Sequence, residues 1–210
     1  LEPRNWFNAN LDSRWFFVPG VVCTLTLFII VNLTSFAIVR EREVGTLEQI
    51  MVTPIRSMEF ILGKTVPFFL IGCALVTLVS IVALAWFRVP FRGNPLVMML
   101  GASLFLLCAL GLGMLVSTLC RTQQQAFATN FFILNPLFTL SGFAFPISSM
   151  PQALQWLTLV DPLRYFLIVV RGTFLKGVGV AELWPQLAAM AAIGAVLLAL
   201  SVLRLRKSLD

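Results

Sequence analysis

The sequence is short of charge. Asp, Glu, Lys and Arg supply 11% of its 210 residues while apolar side chains supply 59%, where an ordinary soluble domain is about 25% charged. A soluble chain of this length can bury part of such an apolar surface but not all of it. Lipid is the solvent that fits. Histidine is absent, which excludes a histidine-containing zinc or haem site. The four cysteines, Cys23, Cys73, Cys108 and Cys120, form no CxxC pair, and three lie well inside apolar runs; they read as small packing residues rather than ligands or disulfides. GxSxG, HExxH and paired carboxylates within an apolar run are also missing. Gly63-Lys64-Thr65 ends like a phosphate-binding loop, but Met58 stands where the first glycine of GxxxxGK[ST] belongs, so Lys64 marks a membrane boundary. The chain carries no ATP site of its own and is not expected to be an enzyme. No cofactor or metal is expected on this chain.

What the sequence has is long charge-free runs. Trp15–Val39, Thr65–Phe87, Gly93–Cys120 and Leu183–Leu203 hold no charged residue, and each reaches the ~20 residues that cross a hydrocarbon core. A fifth run, Thr122–Val160, would be about 58 Å long as one helix, so it must break. Pro136, Gly142, Pro146 and Pro151 are the candidate break points. The expected fold is an all-α membrane protein with five spans, at about 16–39, 65–86, 96–119, 126–145 and 183–203. Span three is rich in small residues, Gly101, Ala102, Ser103, Gly111 and Gly113, which let helices approach closely in lipid. Asp161-Pro162 opens a further helix, Leu163–Leu175, in which Arg164 and Arg171 sit beside large apolar residues. Residues 148–176 therefore read as short interfacial or re-entrant helices between the last two spans. Leu1–Ser13 is polar and reads as the end of an extracytoplasmic segment (1–15) of something larger. Residues 205–210 read as a cytoplasmic tail.

Between the first two spans lies a charged segment, 40–64, with four residues of each sign. Val44, Leu47 and Met51 recur at helical spacing, Thr46 and Gln49 fit a capping box, and Pro54 follows. An amphipathic helix at the membrane surface is expected. It reads either as a solvated connector or as a docking element for a soluble partner. Five spans place the chain ends on opposite faces. Arg204, Arg206 and Lys207 favour a cytoplasmic C-terminus, but Lys and Arg then divide 8 inside to 7 outside, too thin a margin for the positive-inside rule. The net charge of +6 belongs to the flanks of spans and not to a nucleic-acid surface. Three asparagines lie within spans: Asn32, Asn130 and Asn135. They either bond between helices or line a substrate path or subunit seam. Asn135-Pro136 stands out, because proline frees the carbonyl four residues back. No span holds an ionisable residue, which weighs against an ion-coupled carrier.

Several stretches together resemble the ABC-2 type permeases. They are Arg40-Glu41-Arg42-Glu43-Val44-Gly45-Thr46-Leu47-Glu48-Gln49 with Thr53-Pro54 and Gly63-Lys64, and Leu140-Ser141-Gly142-Phe143-Ala144-Phe145-Pro146 followed by Met150-Pro151, Asp161-Pro162-Leu163-Arg164-Tyr165-Phe166 and Arg171-Gly172. The opening Trp6-Phe7-Asn8 through Ser13-Arg14-Trp15-Phe16-Phe17-Val18-Pro19-Gly20 is similar to the bacterial multidrug branch. The resemblance covers nearly the whole chain. It implies six helices per subunit, with a first helix and an extracytoplasmic domain ahead of this sequence, in a homo- or heterodimer in the bacterial inner membrane. It implies a cytoplasmic ABC ATP-binding subunit that holds the ATP and Mg, membrane lipid around the spans, and a possible periplasmic adaptor. Segment 40–64 would be the coupling element, with Glu43, Gly45, Thr46 and Glu48 at the ATPase contact. Spans one and four, carrying Asn32, Asn130 and Asn135, would face the dimer seam. The expected function is an ATP-driven exporter of an amphipathic drug-like or lipid-like substrate. A membrane scaffold without transport and an ion-coupled carrier are the rivals.

Overall fold

The structure, a computed structural model, describes residues 13–45 and 57–209. Among these residues it is helical with no strand. Seven α-helices follow in chain order: α1 Ser13–Val44, α2 Ser57–Ala85, α3 Pro95–Leu119, α4 Gln123–Leu140, α5 Gln152–Leu157, α6 Pro162–Arg171 and α7 Val180–Leu209. Short 3-10 turns, Ile147–Ser149 and Thr158–Val160, flank α5, and a π turn, Gly172–Lys176, extends α6. Four helices, α1, α2, α3 and α7, are long and apolar enough to cross a membrane. A fifth crossing is possible where the pair 152–160 and 162–176 passes the same test together, but its arms are bent by 81°.

Helices α1 and α3 form the centre. Their apolar windows are 56% and 61% buried, against 17% and 22% for α2 and α7. Glycine makes the centre tight. A Cβ on Gly113 would lie 2.9 Å from the Val31 carbonyl oxygen and 2.8 Å from Thr34 Cβ of α1. On the other side of α3, a Cβ on Gly111 would come within 3.2 Å of backbone atoms of Leu197 and Leu198 in α7. The Ser201 hydroxyl donates to the buried Gly111 carbonyl at 2.9 Å. Of the small residues of span three, Gly101, Gly111 and Gly113 therefore serve close approach. Ser103 instead bonds back to Met99 in its own helix.

One end of the bundle gathers the outer pieces. Phe143, just after α4, packs edge-on against Phe17 of α1 and would collide with any Cβ on Gly20. The loop after α2 docks on the π turn through Arg92 N–H to the Phe174 carbonyl, 3.1 Å, and through the Phe91–Phe174 ring pair. Phe105 of α3 stacks on Phe166 of α6, with centroids 4.2 Å apart. The other end gathers the charges: Glu41 and Glu43 of α1, Lys64 of α2 and the α3–α4 turn at Arg121. Ile38 and Met114 meet Leu198 and Val202 just above them. Helix α4 thus runs antiparallel to α1, fastened at both ends of the same stretch, with Gln123 beside Glu43 and Phe143 beside Gly20.

Several boundaries depart from expectation. The charged segment 40–64 is not one surface element: Arg40–Glu43 belong to α1, and Ser57–Lys64 are the opening of α2. Both helices run on beyond their charge-free stretches, so charge does not end them. The expected amphipathic helix around Leu47 and Met51 lies outside the described residues. Pro136 does not break the Thr122–Val160 run; it sits inside α4. The break comes at Gly142, whose φ of +85° is open to glycine and strained for other residues. Helix α6 starts at Asp161-Pro162, as the sequence places it. Gly177, at φ +67°, ends that arm.

Candidate functional site

The charged end of α1 is the most connected polar feature among the described residues. Successive helical residues point about 100° apart, so Glu41, Arg42 and Glu43 fan out towards three neighbours. Glu41 pairs with Lys64 of α2. The Arg42 guanidinium donates to the carbonyls of Ser117 at 3.2 Å, Thr118 at 3.5 Å and Cys120 at 3.1 Å, where α3 ends. Glu43 accepts from the Gln123 backbone N–H at 3.3 Å and from its side-chain amide at 3.0 Å, where α4 begins. A cleft of about 450 Å³ opens beside them, lined by Arg42, Glu43, Arg121 and Thr122. Gly45 follows at φ +81°, its N–H bonded to the Arg42 carbonyl at 3.2 Å, and closes α1. Nothing lies within 4 Å of where its Cβ would be. Thr46 and Glu48, the other two residues expected at an ATPase contact, lie outside the described residues.

The in-span asparagines separate. Asn130 of α4 is 1% exposed. Its amide donates to Asn32 Oδ1 at 3.0 Å and to Ser35 Oγ at 2.7 Å, both on α1. Asn32 also donates to the Phe28 carbonyl of its own helix at 2.7 Å. These three side chains make a polar clasp between α1 and α4 at mid-span. Asn130 Oδ1 is buried without a hydrogen-bond partner. Asn135 is not part of the clasp. Its amide bonds back to the Phe131 carbonyl at 3.1 Å, and Thr139 donates to the Asn135 carbonyl at 2.9 Å. The same helix exposes Phe127, Phe131 and Phe132, an aromatic face with a polar residue in it.

At the end of the bundle away from these charges, Asp161 caps α6, its Oδ1 accepting from Leu163 N–H at 2.9 Å. Oδ2 is buried without a partner. Asp161 lies outside the four spans; burial pushes its carboxyl up to about 7, only partly opposed by the Leu163 N–H and the Arg164 charge. Arg164 bonds the Thr158 hydroxyl and lies over the Tyr165 ring. The Tyr165 hydroxyl reaches the Leu159 carbonyl at 2.9 Å, so the bend between the two arms is held from both sides.

The family described as ABC-2 type transporter matches residues 5–175. The chain belongs to the ABC-2 type transporter family. It is 35% identical over 198 residues to the probable multidrug ABC transporter permease YbhR of Escherichia coli, covering 92% of this chain and 54% of that protein. It is 38% identical over 179 residues to the probable multidrug ABC transporter permease YbhS of the same organism, covering 84% and 47%. To the inner membrane transport permease YhhJ it is 34% identical over 215 residues, covering 100% and 56%. The chain spans about half the length of these curated relatives.

Within this ABC-2 chain, sequence reasoning found the two asparagines of the clasp but missed Ser35. The signal was present, since Asn32 and Ser35 are three apart and share a helix face. It also missed the roles of Arg42, Lys64 and Gln123. Their partners lie 23 to 80 residues away in sequence, beyond the reach of any local pattern.

Proposed function

We propose that this chain is the membrane permease of an ATP-driven exporter in a bacterial inner membrane, powered by a separate ATP-binding subunit and working as a dimer. The observation that carries this reading is the kinship to two probable multidrug ABC transporter permeases across most of the chain. The geometry adds support. The inner end of α1 is charged, ordered through Gly45 and tied to three other helices, as a lever driven from the cytoplasm needs to be. Residues after Gly45, with Thr46 and Glu48, are the ATPase contact in this reading. Glu43 faces the start of α4 and stabilises the contact from behind.

Helix α4 is the fifth crossing in this reading, although at 18 residues it is about 27 Å long and slightly short of the core. Its attachments to both ends of α1 give it the same depth. Its Phe127, Phe131 and Phe132 face, with Asn135, forms the seam with a second subunit. Asn32 and Asn130 fasten α4 to α1 so that the two move together at that seam. The transported substrate is amphipathic, because the exposed walls are aromatic and aliphatic with amides and hydroxyls as the polar groups.

The test is purification of the full-length protein in mild detergent with mass analysis of what accompanies it. Two copies of an ATP-binding subunit per permease dimer are expected. A preparation free of any ATPase, with ATP present, overturns the reading and favours a scaffold or an ion-coupled carrier. Glu48→Arg should abolish the ATPase partner while the permease stays folded.

A further inference from the structure

The order of charges at the end of α1 matches the order of helix ends it meets. The last carbonyls of a helix carry partial negative charge and the first N–H groups partial positive charge. Arg42 meets the carbonyls that end α3, and the next residue, Glu43, meets the N–H that begins α4. The residue before them, Glu41, pairs with a third helix through Lys64. A solvated flank needs no such register. A lone surface pair contributes little, but here three adjacent side chains bind three elements within one turn. The helix they belong to stops two residues later at Gly45.

We propose that Glu41, Arg42 and Glu43 are a three-way coupler that makes the inner ends of α1, α2, α3 and α4 move as one body. The proposal rests on the exporter reading above. A push delivered by the ATP-binding subunit to the segment after Gly45 then tilts four helices together instead of bending α1 alone. The movement reaches the outer pieces because those are packed on the same helices, Phe143 on α1 and Phe166 on α3. These are positioning residues; they touch neither nucleotide nor substrate.

The test uses the full-length permease with its ATP-binding subunit in lipid nanodiscs. The readout is the change in amide hydrogen exchange of the outer segments 86–94 and 141–160 on ATP binding. In the unmodified complex that change is expected to be severalfold. Glu41→Lys and Lys64→Glu each set like charges together and should remove most of that change, leaving exchange nearly the same with and without ATP, while the ATP-binding subunit stays bound. The double variant Glu41→Lys/Lys64→Glu restores the pair and should recover most of it. Should the single variants fail to fold, Arg42→Lys and Arg42→Gln replace them: the lysine still reaches the α3 carbonyls and retains the response, and the glutamine loses it. A response unchanged in the single variants, or equal in Arg42→Lys and Arg42→Gln, overturns the coupler. So does loss of the ATP-binding subunit from the variants, which would make these residues a docking surface, or the absence of any ATP response in an unmodified complex that holds its ATPase. If the unmodified permease binds no ATPase at all, the exporter reading fails instead.

Discussion

At the residue scale, the buried groups that carry consequences are few. Asn130 is the clearest, because its amide supplies the two mid-span bonds from α4 to α1. Interhelical hydrogen bonds in membranes average ~0.6 kcal/mol and reach ~1.7. Asn130→Ala should therefore cost about 1 kcal/mol, and a double-mutant cycle with Ser35→Ala should show a coupling near 0.6 kcal/mol by detergent unfolding. Asp161 makes a prediction about pH. Its carboxyl in the fold sits near 7, above its ordinary value of 3.8, so the folded chain holds the proton that the unfolded chain releases. The stability this residue contributes is complete below the ordinary value and is lost as pH rises through about 7. Asp161→Asn keeps an N-cap acceptor for Leu163 and removes the titration. Thermal unfolding of that variant should show a flatter profile between pH 4 and pH 7 than the unmodified protein.

Elements show where sequence reading works and where it stops. The sequence places the third apolar stretch at 96–119 and the helix there runs Pro95–Leu119, because both its ends are set locally: Asn94 caps one end with its side chain on Leu96 N–H, and a charge follows the other. Helices α1, α2 and α7 run longer than their charge-free runs. A rule that reads apolar length finds the lipid and not the helix, and α2 gains Ser57–Lys64 that way. Pro136 was read as a break and is none, since one freed carbonyl is tolerable in a helix whose other bonds hold. The asparagines were found as polar residues in apolar runs, but whether each faces a neighbour or its own helix depended on tertiary packing. That separated Asn130, in the clasp, from Asn135, on the aromatic face. The glycines of α3 were legible as a stripe; their partners on α1 and α7 were not. Gly113→Leu should press on the Val31 carbonyl and Thr34 and force α1 from α3. Overpacking of this kind costs about 1–3 kcal/mol, which a fall in melting temperature of the purified permease would reveal. Ser103→Leu on the same helix, away from the Gly111 and Gly113 contacts, should cost less.

For the whole molecule, the two ends of the bundle are built differently. One end is tied by charge, with Lys64, the α3 carbonyls and Gln123 all answering to α1. The opposite end is tied by aromatic rings, with Phe17, Phe91, Phe105, Phe143, Phe166 and Phe174 in paired contacts. That division suits a body driven from one side and opening on the other. The central claim is that ATP drives it. The direct measurement is ethidium or another amphipathic dye entering inside-out vesicles that carry the full-length permease and its ATP-binding subunit, with proton and sodium gradients collapsed by ionophores. The account predicts uptake that needs ATP and survives the collapse. Uptake that stops with the gradients and proceeds without ATP would contradict it.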